Sequence, residues 1–343
     1  MARLRSIRSA RLPQRRAGNA GLIATVVVAL AGVLVGAVSA YMTERGSAAN
    51  ALGATAPASE RADADSPQRL ARDHVVARLI AGEAPPERLA APPFPGATAS
   101  APAPRPKIVI ILDDMGIDKR LSERAIALPG PLTYSFLPYG RNAAELAATA
   151  RIAGGEVMLH LPMEPAGKED PGPHALKSGM TGAEFIRSLE WNLNRFDGYV
   201  GVNNHMGSKL TADIAAMKTL LGYLDHRELF FVDSVTTPQT TARKAGRDLG
   251  IEVFSRDVFL DAEAGSESAV RSQLALAERI ARETGYVVAI CHPREETLSV
   301  LGPWLTTAPA RGFDLVFASS LRRLGDEGKP QAVAAMAPPA LRF

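Results

Sequence analysis

Three of the six histidines in this 343-residue chain, and four of its aspartates, fall at or just after the end of a short apolar run. Asp113-Asp114 follow Lys107–Leu112, His160 follows Glu156–Leu159, and Asn203-Asn204-His205 follow Val200–Val202. Asp233-Ser234 close Leu229–Val232, Arg256-Asp257 come after Glu252–Phe254, and Cys291-His292 end Tyr286–Ile290. Imidazole and carboxylate suit Zn²⁺, and a further carboxylate beside such an ion can serve as a base. If the runs are parallel strands of one barrel, their C-terminal ends open on a single face. The polar residues then converge there with the composition of a hydrolytic metal site.

Each of these features also has a plainer reading. An Asp doublet can cap a helix, although two carboxylates on a buried strand end are costly without partners. His160 in His160-Leu-Pro-Met-Glu164 can be a satisfied core residue on a strand that Pro162 terminates. Asn203–Ser208 can be a polar turn with Gly207 supplying a positive φ, and His292-Pro293 a strand-end turn. Cys291 beside His292 is either a thiol nucleophile or an inert buried thiol. His74, His174 and His226 fall in a spacer, a loop and a helix end, and take no role. Met158 and Met163 read as packing.

The elements that must position these residues occupy Lys107–Leu324. Besides the six runs above, Leu132–Phe136 and Asp314–Ala318 also look like strands. Ala183–Phe196 carries Phe185, Ile186, Leu189, Leu193 and Phe196 at helical spacing, after a Thr181-to-Glu184 capping-box pattern. Ala212–Asp225 and Ser268–Thr284 read as further amphipathic helices. Strands alternating with helices predict parallel β/α architecture, barrel or doubly wound, and about 218 residues suit a single barrel. One cysteine excludes an intramolecular disulfide framework and a cysteine-based zinc ribbon.

The ends of the chain differ in kind. Residues 1–20 hold six Arg and no acid, so the net charge of +3 leaves −3 for the rest. The basic character belongs to a tail, and the body is not a nucleic-acid binder on charge grounds. Gly21–Tyr41 carries no charge over 21 residues, about 31 Å as a helix, enough to cross a hydrocarbon core. A transmembrane anchor over Gly21–Met42 is expected. With the arginines inside, the main domain lies outside the inner (cytoplasmic) membrane, in a periplasmic or other extracytoplasmic space. Val38-Ser39-Ala40 leaves a cleaved signal peptide as the rival reading, which exports the same domain. Residues 43–105 are rich in Ala and Pro and predict a disordered spacer, with a short helix near Gln68–Leu79. The organisation expected is a tail (1–20), an anchor (21–42), a linker (43–105), a body (106–326) and a flexible tail (327–343).

Across nearly the whole body the sequence resembles the divergent polysaccharide deacetylases, relatives of the NodB-type polysaccharide deacetylases. The segments that carry the likeness, in order, are IVIILDDMG (108–116), VMLHLPMEP (157–165), VGVNNHMGSKLT (200–211), FFVDSVTT (230–237), FSRDVFLD (254–261) and VVAICHP (287–293). The resemblance implies a deformed (β/α)7-type parallel barrel and metal-assisted removal of N- or O-acetyl groups from an envelope glycan. Topology makes peptidoglycan the candidate polymer. By the same resemblance Asp113 is the base, and Asp114 and His160 hold a divalent metal, Zn²⁺ by preference; His205, from the next strand, replaces the ligand missing at Glu164 and completes the set. His292 is then the acid that protonates the leaving group. Glu164 stands where the family's His-Ser/Thr-x-x-His motif has its second His, and Asn203–Ser208 stands in place of an Arg-x-Pro-Tyr loop. Asn204 and Ser208 of that loop are expected beside the site. Asp233 or Asp257 is expected to orient His292, and Arg256 to neutralise that carboxylate or meet an acidic glycan. These departures keep a second function open, a catalytically silent glycan-binding or scaffold protein of the envelope.

Overall fold

The computed structural model describes residues 67–82 and 104–322. The expected tail, membrane span and final tail lie outside the described residues. Among the described residues no helix is long and apolar enough to cross a membrane.

A wholly parallel sheet forms the centre. Its strands are β1 (Lys107–Met115), β2 (Thr133–Phe136), β3 (Glu156–Met163), β4 (Gly201–Met206), β5 (Phe230–Asp233), β6 (Val253–Ser255), β7 (Val258–Phe259), β8 (Tyr286–Cys291) and β9 (Asp314–Val316). They lie in the order β6-β5-β4-β3-β2-β1-β8-β7. The two ends of that path are joined by only Arg256 and Asp257, so Ser255 and Val258 lie within about 11 Å of each other. The sheet is therefore curled into a half-barrel and is not a flat doubly wound sheet. The eight strand-like runs of the sequence are all present; the ninth strand, β7, is two residues long and has no periodicity to betray it. β8 pairs along one edge of β1, while β9 (Lys107 to Val109) and β2 (from Ile111) share the other.

Both faces of the curled sheet are dry, which explains the nearly unbroken apolar run of β1. Alternate residues divide between two clusters. Ile108, Ile110 and Leu112 pack outward against the helices. Val109 and Ile111 point inward with Met158, Val232, Phe254, Val288 and Ile290, and Ala318 and Leu321 join them from the turn after β9. Register carries this inside face upward, since His160 is paired with Asn203 and Asn203 with Val232. The inner residues run Val109-Ile111-Asp113 on β1, Met158-His160 on β3, and Val288-Ile290-His292 along and just beyond β8. The inside of the barrel is thus apolar at the N-terminal ends of the strands and polar at their C-terminal ends.

The crossover helices are capped as their sequences predict. Thr181 and Glu184 form the reciprocal capping box of Gly182–Leu193, Asp213 caps Ile214–His226, and Ser266 caps Glu267–Thr284. That last helix ends at Gly285, whose φ of 89° only glycine adopts freely, and the chain turns directly into β8.

The helix anticipated near Gln68–Leu79 is present as α1 (Pro67–Ile80), but it is part of the body and not of a loose spacer. Val76 and Leu79 are buried against the core. Arg72 forks onto Asp257 at 3.3 and 2.7 Å, donates to the Tyr286 carbonyl and lies 3.8 Å from the centre of the Tyr286 ring. Asp73 pairs with Arg243, whose Nε donates to Ser255 of β6. The helix therefore ties β6 to β8 across the two-residue break. Removing one partner of a buried pair costs about 3–5 kcal/mol. Arg72→Ala is expected to lower the Tm of the full chain by roughly 6–20 °C, measured by circular dichroism, without altering metal content.

Candidate functional site

The C-terminal ends of β1, β3, β4 and β8 bring Asp113, Asp114, His160, His205 and His292 into one cluster. Regular alternation would send Asp114 outward with Ile110 and Leu112. The pairing of β1 with β2 slips between Leu112 and Met115, and Asp114 takes a positive φ of 56°. This bulge swings its carboxylate back over the mouth, so that two consecutive acids serve the same site. Met206 (φ 53°) and Val235 (φ 50°) are also left-handed. For a β-branched residue that is a real outlier, and such strain collects at functional sites.

Asp114 Oδ1 lies 3.0 Å from His205 Nδ1 and 3.4 Å from His160 Nε2. The ring nitrogens approach it without hydrogen-bond alignment, and the oxygen is buried with no hydrogen-bond partner. One ligand atom from each of the three residues lies within 4.8 Å of the others. Two donors on a tetrahedral zinc ion sit about 3.3 Å apart, given bonds of ~2.0–2.1 Å. An orphaned carboxylate oxygen facing two imidazole nitrogens at that spacing fits a divalent cation.

Around this trio the charges are strongly coupled. The imidazoles of His160, His205 and His292 outweigh the cost of burial at Asp114 and hold its carboxyl far below the usual range. Burial dominates at Asp113, whose pKa is raised even though His160, His292 and the Asn203 amide favour the anion. At His160 burial opposes the charged form, but Asp113 and Asp114 outweigh it and the pKa rises. His292 follows the same pattern: burial is overcome by Asp261 and then by Asp114 and Asp113.

Asp261 corrects the expectation that Asp233 or Asp257 orients His292. Its Oδ1 lies 3.1 Å from His292 Nδ1, while Oδ2 accepts from the His292 backbone N–H and from Thr297 Oγ1. Asp233 instead braces the loop after β5 through Val235 N and Thr240 Oγ1, and Asp257 belongs to Arg72 and Val288 N. Asp261 is the last residue of the FSRDVFLD segment; the two-residue break between β6 and β7 hid its position.

Three other expected residues turn away from the cluster. Glu164 accepts from Lys209 Nζ and Ser178 N, clamping two loops. Ser208 Oγ accepts from Ala166 N. Asn204 points to the other side of β4, bridging the Met206 carbonyl and Ser234 N. Its neighbour Asn203, on the inner face with His205, has no separate role in the sequence reading; strand parity would have singled it out. Arg256 lies beside the site. Nε and Nη2 donate to the Ser234 and Val235 carbonyls, and burial lowers its pKa against the pull of Asp233, Asp113 and Asp257. Burial, aided by the charges of Asp261 and Asp113, pushes the Cys291 thiol well up, which removes it as a nucleophile.

Comparison with known proteins gives a consistent result. The profile of a family described as divergent polysaccharide deacetylase matches residues 110–322. The uncharacterized protein YibQ of Escherichia coli is 35% identical over 222 residues, covering 65% of this chain and 69% of that protein. An uncharacterized protein of Haemophilus influenzae is 32% identical, covering 59% and 72%. The crystal structure of an uncharacterized protein of Agrobacterium tumefaciens superposes with a TM-score of 0.62 at 27% identity, covering 65% of this chain and 91% of that one.

Proposed function

The chain belongs to the divergent polysaccharide deacetylase family, and on that premise we propose that it is a metal-dependent hydrolase that removes acetyl groups from an envelope polysaccharide. The carrying observation is the buried, unpartnered Asp114 Oδ1 beside His160 and His205. These three residues would hold the ion, with Zn²⁺ the preferred occupant. When bound, the ion supplies an acidified water and polarises the acetyl carbonyl.

The chain's own residues supply the proton traffic. Asp113 is buried and basic for a carboxylate, and it is 3.7 Å from His160 Nε2; it takes the proton of the attacking water. His292, held by Asp261 and 3.7 Å from Asp114 Oδ2, delivers a proton to the departing amine or alcohol. The uncharged 21-residue run behind six arginines anchors the enzyme in the cytoplasmic membrane with this domain outside, where peptidoglycan is in reach.

The test is acetate release by the full chain, loaded with zinc, from N- and O-acetylated glycans, beside Asp113→Asn. Release by the wild type that Asp113→Asn lowers by about 10²–10⁴-fold supports the reading. Glycan binding without release from any substrate, with the metal in place, would favour the silent scaffold.

A further inference from the structure

We infer that Asn203 is a positioning residue that locks His160 in the Nδ1–H tautomer, so that Nε2 presents a lone pair to the divalent cation, while its other end holds Asp113 in place. The cation belongs to the function proposed above; the tautomer does not depend on it.

The side chain of Asn203 has two ends of opposite polarity, and its neighbours decide which way it faces. Nδ2 lies 2.8 Å from Asp113 Oδ1. A carboxylate only accepts, so the amide nitrogen must face it. Oδ1 then faces His160 Nδ1 at 3.0 Å and also accepts from Ser135 Oγ. The second amide hydrogen goes to Ser234 Oγ at 3.2 Å. Both donors and both acceptor positions are used, and the residue is fully buried. A flipped amide would set its oxygen against a carboxylate and its nitrogen against a hydroxyl that donates.

With an acceptor fixed at Nδ1, that nitrogen carries the proton. A neutral imidazole has only one, so Nε2 is bare. It faces Asp113 Oδ2 at 3.7 Å and Asp114 Oδ1 at 3.4 Å. A lone pair directed at two carboxylates is repulsive unless a cation, a proton in the metal-free chain or the metal ion when bound, stands between them. Fixing the remote nitrogen of a ligating histidine is how neighbouring groups orient such ligands. Here the group that does so also grips the carboxylate assigned as base, so one amide sets the relative placement of ligand and base. A neutral donor does this without placing a full positive charge against Asp113.

The experiment is ¹⁵N–¹H correlation of the histidine rings in the full chain, with His160 assigned by the signal lost in His160→Gln. It is recorded metal-free, at a pH high enough to leave the ring neutral, and again with cadmium. Wild-type His160 is expected as Nδ1–H in both states, with cadmium coupled to Nε2. Asn203→Leu is expected to populate the Nε2–H form and to weaken zinc binding about 10–100-fold. Asn203→Asp retains an acceptor toward Nδ1, while its second oxygen meets Asp113 Oδ1 and the two carboxyls must share a proton; it is expected to keep the Nδ1–H form. Wild-type His160 found as Nε2–H overturns the inference, even if Asn203→Leu fails to fold. So does an Asn203→Leu chain that keeps both the tautomer and the zinc affinity. A chain that takes up no metal yet shows the Nδ1–H form would defeat the proposed hydrolase and leave the role of Asn203 standing.

Discussion

Asp114→Asn is expected to abolish metal-dependent stabilisation of the chain and, with it, acetate release. The substitution is nearly isosteric, and asparagine tolerates the left-handed backbone at this position as well as aspartate does. What changes is the charge. Asp114 is the one acid in the trio, and its Oδ1 is the atom buried without a partner. An amide oxygen is a far poorer zinc ligand than a carboxylate, and two imidazoles alone make an incomplete site. Saturating zinc at about 100 times its Kd would stabilise the wild type by roughly 2.7 kcal/mol. That is a rise of about 5–10 °C in the Tm of a domain this size. The variant should show no such rise, and its bound zinc after dialysis should fall to background. A melting curve that zinc raises equally in both chains would remove Asp114 from the ligand set. Because the readout is stability, the result does not depend on knowing the glycan.

The parts of this site that were legible in the sequence and the parts that were not differ for a physical reason. Asp113, His160 and His292 sit on the inner face of regular strands, so the end of an apolar run was enough to place them. The same run end places Asp114 at the mouth, but its part as a ligand came from the resemblance, because its reach depends on a β-bulge and a positive φ that no periodicity announces. Asn204 is named as a supporting residue and Asn203 has no role of its own in the sequence, although alternation along β4 puts Asn203 with His205; the apolar run ends at Val202, and nothing in it shows that the strand continues through the doublet. The orienting carboxylate was misplaced because β6 and β7 are short and broken at residues 256–257, which upsets any count from strand ends. Asp257 lies in that break and serves α1, and Asp261, four residues on, reaches His292. The capping box at Thr181 and the alternation of strands with helices needed only local chemistry and periodicity, and both were accessible. The packing of α1 was not, since nothing in the Pro-rich surround marks that Val76 and Leu79 reach the core.

His292→Gln is expected to lower acetate release by about 10²–10⁴-fold, the range for loss of a positioned acid, while the chain retains its zinc. His292 lies outside the ligand trio, its Nε2 3.7 Å from Asp114 Oδ2. Asp261→Asn separates the acid's placement from its acidity. Asp261 is fully buried and holds His292 through both the ring and the backbone N–H. Its charge favours the imidazolium, raising the pKa of His292 against the effect of burial. An acid must be protonated to act, so activity is lost as pH rises through the His292 pKa. Removing the Asp261 charge lowers that pKa whatever else the site holds. The alkaline limb of the pH–rate profile in Asp261→Asn should therefore move to lower pH, by about 1 unit or more, with the acid limb nearly unmoved. The amide still offers an oxygen to His292 Nδ1, so placement survives in part and the loss at the pH optimum should be smaller than in His292→Gln. An alkaline limb that stays where it was, or moves upward, would show that His292 is not the proton donor. The proton would then have to come from Asp113 after it has taken one from water. The two outcomes decide between an enzyme with separate acid and base and one in which a single carboxyl serves both steps.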